Sequence, residues 1–180
     1  MLIPVCADSF CRGVVKVGAV DCEAEQSLCA DHGVESFPTV KLIIAGGRGE
    51  MEYTEAKTAR ALHDFAVENL PTEVVNLRTK PHLEDFLSGP CKEASSGCCA
   101  VLLTDKYETS PVYKSLSVQH KGVVALGEAR ASNKIIAKEM GVDDFPSLVM
   151  VCNGEPSVYD GELKAAPLTE FIGKHAKKKR

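Results

Sequence analysis

Short apolar runs and segments of helical periodicity alternate along the second half of the chain. The runs are rich in β-branched residues and are bounded by glycine, proline and asparagine, which predicts strands separated by amphipathic helices. The order is βαβαβαββα, over residues 74–77, 80–87, 99–104, 111–120, 123–126, 132–140, 147–152, 157–160 and 167–176. This order predicts a mixed sheet with helices on both faces.

The first half has the same pattern with fewer elements. It predicts helices over residues 2–10, 24–32 and 57–69 and strands over residues 14–20, 40–44 and 50–53. The first strand, helix and second strand of the later half have no counterpart here. A short linker stiffened by Pro71 is expected at residues 71–73, which leaves one unit at 1–70 and another at 74–180.

One phrase occurs twice. Gly33-Val34-Glu35-Ser36-Phe37-Pro38-Thr39 recurs as Gly141-Val142-Asp143-Asp144-Phe145-Pro146-Ser147, and each copy leads into an apolar run. Tyr53, Leu62 and Phe65 recur with unchanged spacing as Tyr159, Leu168 and Phe171. A repeat of about 108 residues indicates a domain duplication.

These phrases, together with residues 14–22 and 28–34, resemble the tandem thioredoxin-fold domains of the protein disulfide isomerase family. The resemblance implies an α/β thioredoxin-like fold in two units, of which the second is complete and the first lacks its first β-α-β. Leu2-Ile3-Pro4 resembles the Leu-x-Pro of the helix that follows the family's active site, so the chain is expected to begin just after that site. A truncated gene model or a splice form would explain this start.

A missing central strand would leave its neighbours with unpaired backbone groups. We therefore expect the first unit to be marginal alone. It would close by direct pairing of the flanking strands, by docking on the second unit, or by borrowing a strand, which makes a strand-borrowing homodimer possible.

Thiol–disulfide exchange needs an activated thiolate and a nearby second thiol, which Cys-x-x-Cys at a helix N-terminus supplies. The chain has eight cysteines and no such pair. In the second unit the corresponding turn, residues 104–111, has no cysteine, and Asp105 and Glu108 would disfavour a thiolate. We expect that domain to be redox-inactive, so whether the chain is an enzyme stays open despite the resemblance.

The resemblance also implies two structural disulfides, Cys22 with Cys29 and Cys91 with Cys98. Two buried free thiols are the alternative for the first pair, because spacing alone does not fix the Cα distance. Strand alternation places the side chains of Cys98 and Cys99 on opposite faces, which favours a core position for Cys99.

Three cysteines remain. Cys152 ends a strand and is predicted to act as a small apolar residue. Cys6 and Cys11 are the possible reactive thiols, and they carry the alternative hypothesis of a residual oxidoreductase. No cofactor or metal is expected, because no cysteine pair has ligand spacing and the histidines are scattered.

The resemblance implies cis peptide bonds at Pro38 and Pro146, with Phe37, Pro38, Thr39, Phe145, Pro146 and Ser147 contacting an extended peptide. Prolines that simply begin strands are the structural alternative. The leading hypothesis is a family member of oxidative folding that binds unfolded clients or a family partner without dithiol activity. A purely structural interaction module is a third hypothesis, beside the residual oxidoreductase.

Composition adds little to this interpretation. The 180 residues are 44% hydrophobic and 26% charged, as in an ordinary globular protein. The net charge is −4 although residues 174–180 hold five lysines and arginines, so the remainder is acidic and nucleic acid is not an expected partner. No membrane span, signal peptide or KDEL-type signal is legible, and the endoplasmic reticulum lumen is expected from the resemblance alone.

Overall fold

A computed structural model describes residues 14–44 and 49–176. The chain divides into two compact units between Leu70 and Pro71.

The described part of the first unit has a two-stranded sheet and two helices. In chain order these are α1 (Gln26–Asp31), β1 (Val40–Ile43), β2 (Glu50–Tyr53) and α2 (Ala59–Glu68). The strands are antiparallel, with Val40 opposite Tyr53. The Tyr53 ring packs 4.9 Å from the Phe65 ring of α2, centroid to centroid, and this contact joins the hairpin to the helix.

The predicted strand over residues 14–20 does not form. The structure has no strand there, and Val17 and Val20 are 43% and 54% exposed. A strand needs a neighbour for its backbone N–H and C=O groups, and no described segment pairs with this one. Direct pairing of the flanking strands is therefore also absent from the described residues, and the predicted helix at 2–10 lies outside them.

The second unit carries the remaining elements. They are β3 (Val75–Leu77), α3 (Lys80–Ser88), α4 (Pro90–Glu93), β4 (Cys98–Thr104), α5 (Pro111–Gln119), β5 (Val124–Arg130), α6 (Lys134–Glu139), β6 (Ser147–Cys152), β7 (Glu155–Val158) and α7 (Ala165–His175). The predicted βαβαβαββα order is present, with α4 as an additional short helix. Asn153 and Gly154 have φ values of 54° and 86° and form the tight turn between β6 and β7.

The five strands form one mixed sheet in the order β3-β5-β4-β6-β7. β4 is central and runs parallel to β5 and antiparallel to β6. All seven residues of β4 are buried. Both neighbours of β4 satisfy its backbone groups, so the sheet is anchored on this strand.

Helices cover both faces of this sheet, as predicted. On one face α3, α4 and α6 contribute Leu83, Phe86, Cys91, Ile136 and Ala137 to an apolar cluster. On the other face α5 and α7 contribute Tyr113, Leu116, Leu168 and Ile172. The two layers bury the central strand β4 completely, whereas the edge strand β7 is exposed along its length.

Candidate functional site

The family that the sequence resembles carries the dithiol of its redox-active domains at the start of a helix that follows a strand, and the corresponding turn of the second unit lies between β4 and α5. Ser110 is the N-cap of α5, and its Oγ accepts a hydrogen bond from the Tyr113 backbone N–H at 3.3 Å. Two residues lie between Ser110 and Tyr113, as between the cysteines of a Cys-x-x-Cys at a helix N-terminus. Both positions carry hydroxyl groups, so this helix N-terminus offers no sulfur.

Tyr113 is fully buried and has a structural role. Its hydroxyl lies 3.0 Å from the carbonyl oxygen of Ala100 and 2.9 Å from that of Gly127, so it bridges β4 and β5. Burial raises the pKa of Tyr113 well above its usual value, and the nearby Glu128 carboxylate raises this pKa further. The phenol therefore stays neutral and is no acid–base catalyst near neutral pH.

An arginine holds the turn in place. Arg130 Nη1 lies 2.8 Å from Glu128 Oε1, and the guanidinium also donates to the backbone carbonyls of Lys106 and Tyr107. The Glu128 side chain is 1% exposed, and its Oε2 has no hydrogen-bond partner among the described residues. Only the backbone carbonyl of Tyr107 takes part in these hydrogen bonds, and Tyr107 is 90% exposed.

Sequence reasoning missed this arrangement. The available signal was a glutamate and an arginine two residues apart at the end of the strand that lies parallel to β4. Residues two apart on a strand share a face, so Glu128 and Arg130 are placed to meet. The contact with the turn could not be anticipated, because it depends on the register of β4 against β5.

The second Phe-Pro phrase lies beside this turn. Ser147 is opposite Leu103 in the antiparallel β4–β6 pair, so residues 143–146 approach the carboxyl end of β4. The Phe145–Pro146 peptide bond is cis, as expected. Ser147 Oγ donates to the Asp144 carbonyl at 2.6 Å, and Phe145 is 36% exposed.

The first Phe-Pro phrase has the same local structure. The Phe37–Pro38 bond is cis, and Thr39 Oγ1 donates to the Ser36 carbonyl at 2.6 Å. Phe37 is 72% exposed just before β1 begins. Each unit therefore presents a phenylalanine at the start of a strand.

The cysteine pairing agrees with the sequence at one site. The predicted pair Cys22 and Cys29 is bonded, with an S–S distance of 1.90 Å and a Cα–Cα distance of 5.7 Å. Cys29 is buried on α1, whereas Cys22 lies in the turn at residues 22–24 that precedes α1. The bond therefore fastens α1 to that turn.

The pairing of Cys91 with Cys98 is wrong. Cys91 bonds to Cys99, and Cys98 bonds to Cys152, which was predicted to be a free apolar residue. Cys99 points to the face that carries α4, where Cys91 lies, whereas Cys98 points to the other face and is directly opposite Cys152 in β6. Strand alternation determines the partner of each cysteine. The resemblance therefore predicted a partner for Cys91 that is one residue away from the observed one.

Cys6 and Cys11 lie outside the described residues. In the described ranges no group of three or more histidine, cysteine or acidic side chains is placed to hold a metal ion. No helix within residues 14–44 or 49–176 has both the length and the apolar character needed to cross a membrane.

Comparison with known proteins places this geometry. The thioredoxin family model matches residues 4–68. The crystal structure of ERdj5 in form II superimposes with a TM-score of 0.63 at 19% identity, over 90% of this chain and 23% of that one. The chain thus has a mixed α/β thioredoxin-like fold.

Sequence relatives narrow the class. Protein disulfide isomerase-like 2-3 of Oryza sativa subsp. japonica is 37% identical over 182 residues, which cover 89% of this chain and 40% of the relative. Protein disulfide-isomerase A6 of Mesocricetus auratus is 29% identical over 183 residues, covering 83% of this chain and 42% of the relative. The chain belongs to the protein disulfide isomerase family, as the sequence indicated. It spans less than half the length of these relatives.

Proposed function

We propose that this chain serves oxidative protein folding by binding unfolded client proteins, and that its second unit carries out no dithiol exchange. The observation that carries the proposal is the position of two loops at the carboxyl end of β4, one directly after β4 and one directly before its antiparallel neighbour β6. The first is the cysteine-free turn before α5, and the second is the Phe145–Pro146 loop. This end of the sheet would bind the peptide, although neither loop contains a cysteine.

The proposed binding mode is that of an extended peptide lying along the start of a strand. Such peptides gain affinity from backbone hydrogen bonds and specificity from side-chain contacts. Phe37-Pro38-Thr39 and Phe145-Pro146-Ser147 would provide these contacts in the two units. The exposure of Phe37 and Phe145, at 72% and 36%, supports this role because both rings are available to an apolar client side chain.

The absence of Cys-x-x-Cys supports binding without exchange. Each of the three disulfides among the described residues contains at least one buried cysteine. These are Cys29 in the first bond, Cys91 and Cys99 in the second, and Cys98 in the third. A buried thiolate is a poor leaving group, because desolvation raises its pKa. The endoplasmic reticulum lumen is the compartment that we propose, from the family.

Two assays on the full chain test this function. Fluorescence anisotropy with a labelled, neutral, apolar extended peptide measures binding, and insulin reduction measures dithiol turnover. We expect saturable binding that weakens in Phe37→Ser/Phe145→Ser, and no turnover above background. Ile135→Ser is the matched control, since Ile135 is 60% exposed on α6, and it should leave binding unchanged.

Either of two results would reject the proposal. Equal peptide binding by the double variant and the Ile135 control would remove the Phe-Pro loops from the binding site. Insulin turnover like that of an intact family enzyme, lost in Cys6→Ser/Cys11→Ser, would instead establish the oxidoreductase alternative.

A further inference from the structure

The two loops at the carboxyl end of β4 carry an unbalanced set of charges. Residues 104–110 and 142–146 contain four carboxylates and one lysine. The carboxylates belong to Asp105, Glu108, Asp143 and Asp144, and all four residues are exposed. In the described part of the chain, none of the four forms an ion pair with a basic side chain.

Two aromatic rings lie among these carboxylates. Tyr107 stands between Asp105 and Glu108, and Phe145 follows Asp143 and Asp144 directly. Tyr107 is the most exposed of the large apolar or aromatic side chains described, at 90%. Covering a solvent-exposed aromatic ring with a ligand contributes favourably to the binding free energy, and a cation over the face of the ring contributes further.

A fifth carboxylate lies beneath the same turn. Glu128 is joined by Arg130 to the backbone carbonyls of Lys106 and Tyr107, so it supports the segment that carries the exposed ring. Its buried Oε2 has no hydrogen-bond partner among the described residues. The positive charge of Arg130 is balanced by Glu128, and its other hydrogen bonds go to the two backbone carbonyls. Arg130 therefore does not offset the charge of the four exposed carboxylates.

The Phe-Pro phrase of the first unit carries fewer carboxylates than that of the second. The phrase before Phe37 contains one carboxylate, that of Glu35, in the places where the second unit has Asp143 and Asp144. Lys41 follows closely in β1. The Phe-Pro phrase of the second unit is therefore the more acidic of the two.

We propose that the acidic aromatic surface of the second unit, defined by Asp105, Tyr107, Glu108, Asp143, Asp144 and Phe145, binds extended client segments in which lysine or arginine alternates with apolar residues. This inference rests on the proposed client binding and assigns its substrate class. Carboxylates at a rim act mainly through charge complementarity, which selects partners and accelerates association. The exposed rings receive the apolar side chains.

Three labelled peptides of one length and one apolar pattern test the preference on the full chain. Their alternate positions carry lysine, glutamine or glutamate. We expect the lysine peptide to bind about tenfold more tightly than the glutamate peptide at low salt, with the difference shrinking towards 0.5 M salt. The glutamine peptide should bind with intermediate affinity.

Variants localise the effect. Asp143→Asn/Asp144→Asn should weaken binding of the lysine peptide about threefold to tenfold and leave the glutamine peptide unchanged, since each exposed charge contributes modestly. Glu93→Gln/Glu155→Gln is the matched control, because both glutamates are exposed and lie towards the opposite end of the sheet. Tyr107→Ser should weaken binding of all three peptides.

The outcomes separate this inference from the proposed function. Binding of all three peptides with equal affinity would overturn the inference and leave client binding in place. A lysine preference that the Glu93/Glu155 control reduces as strongly as the Asp143/Asp144 variant would also overturn it. Failure of every peptide to bind, with circular dichroism unchanged, would remove the proposed function itself.

Discussion

Cys98 and Cys99 are neighbours in β4, yet their sulfurs form disulfides on opposite faces of the sheet. Cys99 is bonded to Cys91 of α4, and Cys98 is bonded to Cys152 of β6. Exchange between the two bonds would require β4 to rotate within the sheet, which its ladders to β5 and β6 prevent. The central strand is thus covalently fixed to a helix and to its antiparallel neighbour.

The two bonds should differ in their effect on stability. Cys98–Cys152 closes 54 residues and Cys91–Cys99 closes 8. In the chain-entropy model the first contributes about 4 kcal/mol to the free energy of unfolding and the second about 2.5 kcal/mol. Denaturant unfolding of Cys98→Ala/Cys152→Ala and of Cys91→Ala/Cys99→Ala should give losses in that order.

Reduction of the unmodified chain provides the control. With excess reductant under unfolding conditions, the stability differences among the three proteins should disappear. A larger loss in Cys91→Ala/Cys99→Ala would show that packing around Cys99, which is 0% exposed, outweighs loop closure.

A glycine in β5 is predicted to be intolerant of substitution. A Cβ on Gly127 would lie 2.9 Å from Leu77 Cδ1 and 3.2 Å from the Phe86 ring, and both of these side chains are buried. Gly127→Ala should therefore cost about 1–3 kcal/mol of unfolding free energy through overpacking. Thermal unfolding followed by circular dichroism measures the loss.

Gly173 is the matched comparison. It lies within α7, and a Cβ there would meet nothing within 4 Å. Gly173→Ala should raise stability by about 0.5–1 kcal/mol, because alanine loses less backbone entropy in a helix. If both variants shift stability in the same direction, the close packing around Gly127 does not control its tolerance.

Removing the Tyr113 hydroxyl tests its bridge between strands. Tyr113→Phe should cost about 1–2 kcal/mol near neutral pH, because the one O–H that two buried carbonyls share is lost. The folded-state pKa of Tyr113 is raised, while the unfolded phenol ionises near its usual value of about 10. Stability should therefore hold below about pH 10 and fall as the pH rises further.

The alkaline fall should be smaller in Tyr113→Phe, since the variant lacks this phenol in both states. Denaturant midpoints at pH 7 and above pH 10 give the comparison. An identical alkaline slope in the two proteins would mean that Tyr113 ionises normally and is not sealed in the core.

In the first unit, Glu50 links stability to acidic pH. Its carboxylate accepts hydrogen bonds from His32 Nδ1 at 2.5 Å and from Lys41 Nζ at 3.0 Å, and these bonds lower the pKa of Glu50. The stabilisation is present above the unfolded pKa of about 4.3 and is lost as the pH falls through the lowered folded value. Glu50→Gln should lower the melting temperature at pH 7 and have little effect near pH 2.

Glu52→Gln, on the same strand, is the control for a change in net charge. It should leave the melting temperature at pH 7 nearly unchanged. A loss in Glu52→Gln as large as that in Glu50→Gln would assign the effect to general charge repulsion.

The sequence predicted the second unit well because each of its segments satisfies local and tertiary requirements together. β6 was predicted at its observed bounds, and α5 differs by one residue. The strand at 14–20 failed for the opposite reason: its apolar pattern fits a strand, but backbone pairing is a property of two segments. The periodicity of apolar residues describes a single segment and does not show whether a second segment is present to pair with it.

The arrangement of the candidate site was predicted less completely than the fold. The Phe-Pro loops could be found because they are repeated phrases, but the partners of Cys91 and Cys98 depend on which face each side chain occupies. The exposure of Tyr107 and its support by Arg130 depend on β4–β5 register. Contacts of this kind between distant residues leave no local signal.

Ser110 and Tyr113 have a consequence for how this domain can change. Cysteines placed at these two positions would recreate the spacing of a dithiol, but replacing Tyr113 would remove a buried ring and its two carbonyl contacts. A large-to-small change in such a core costs about 3–5 kcal/mol, a sizeable share of a small domain's stability. Two substitutions would therefore create the Cys-x-x-Cys spacing and, at the same time, destabilise the domain that carries it.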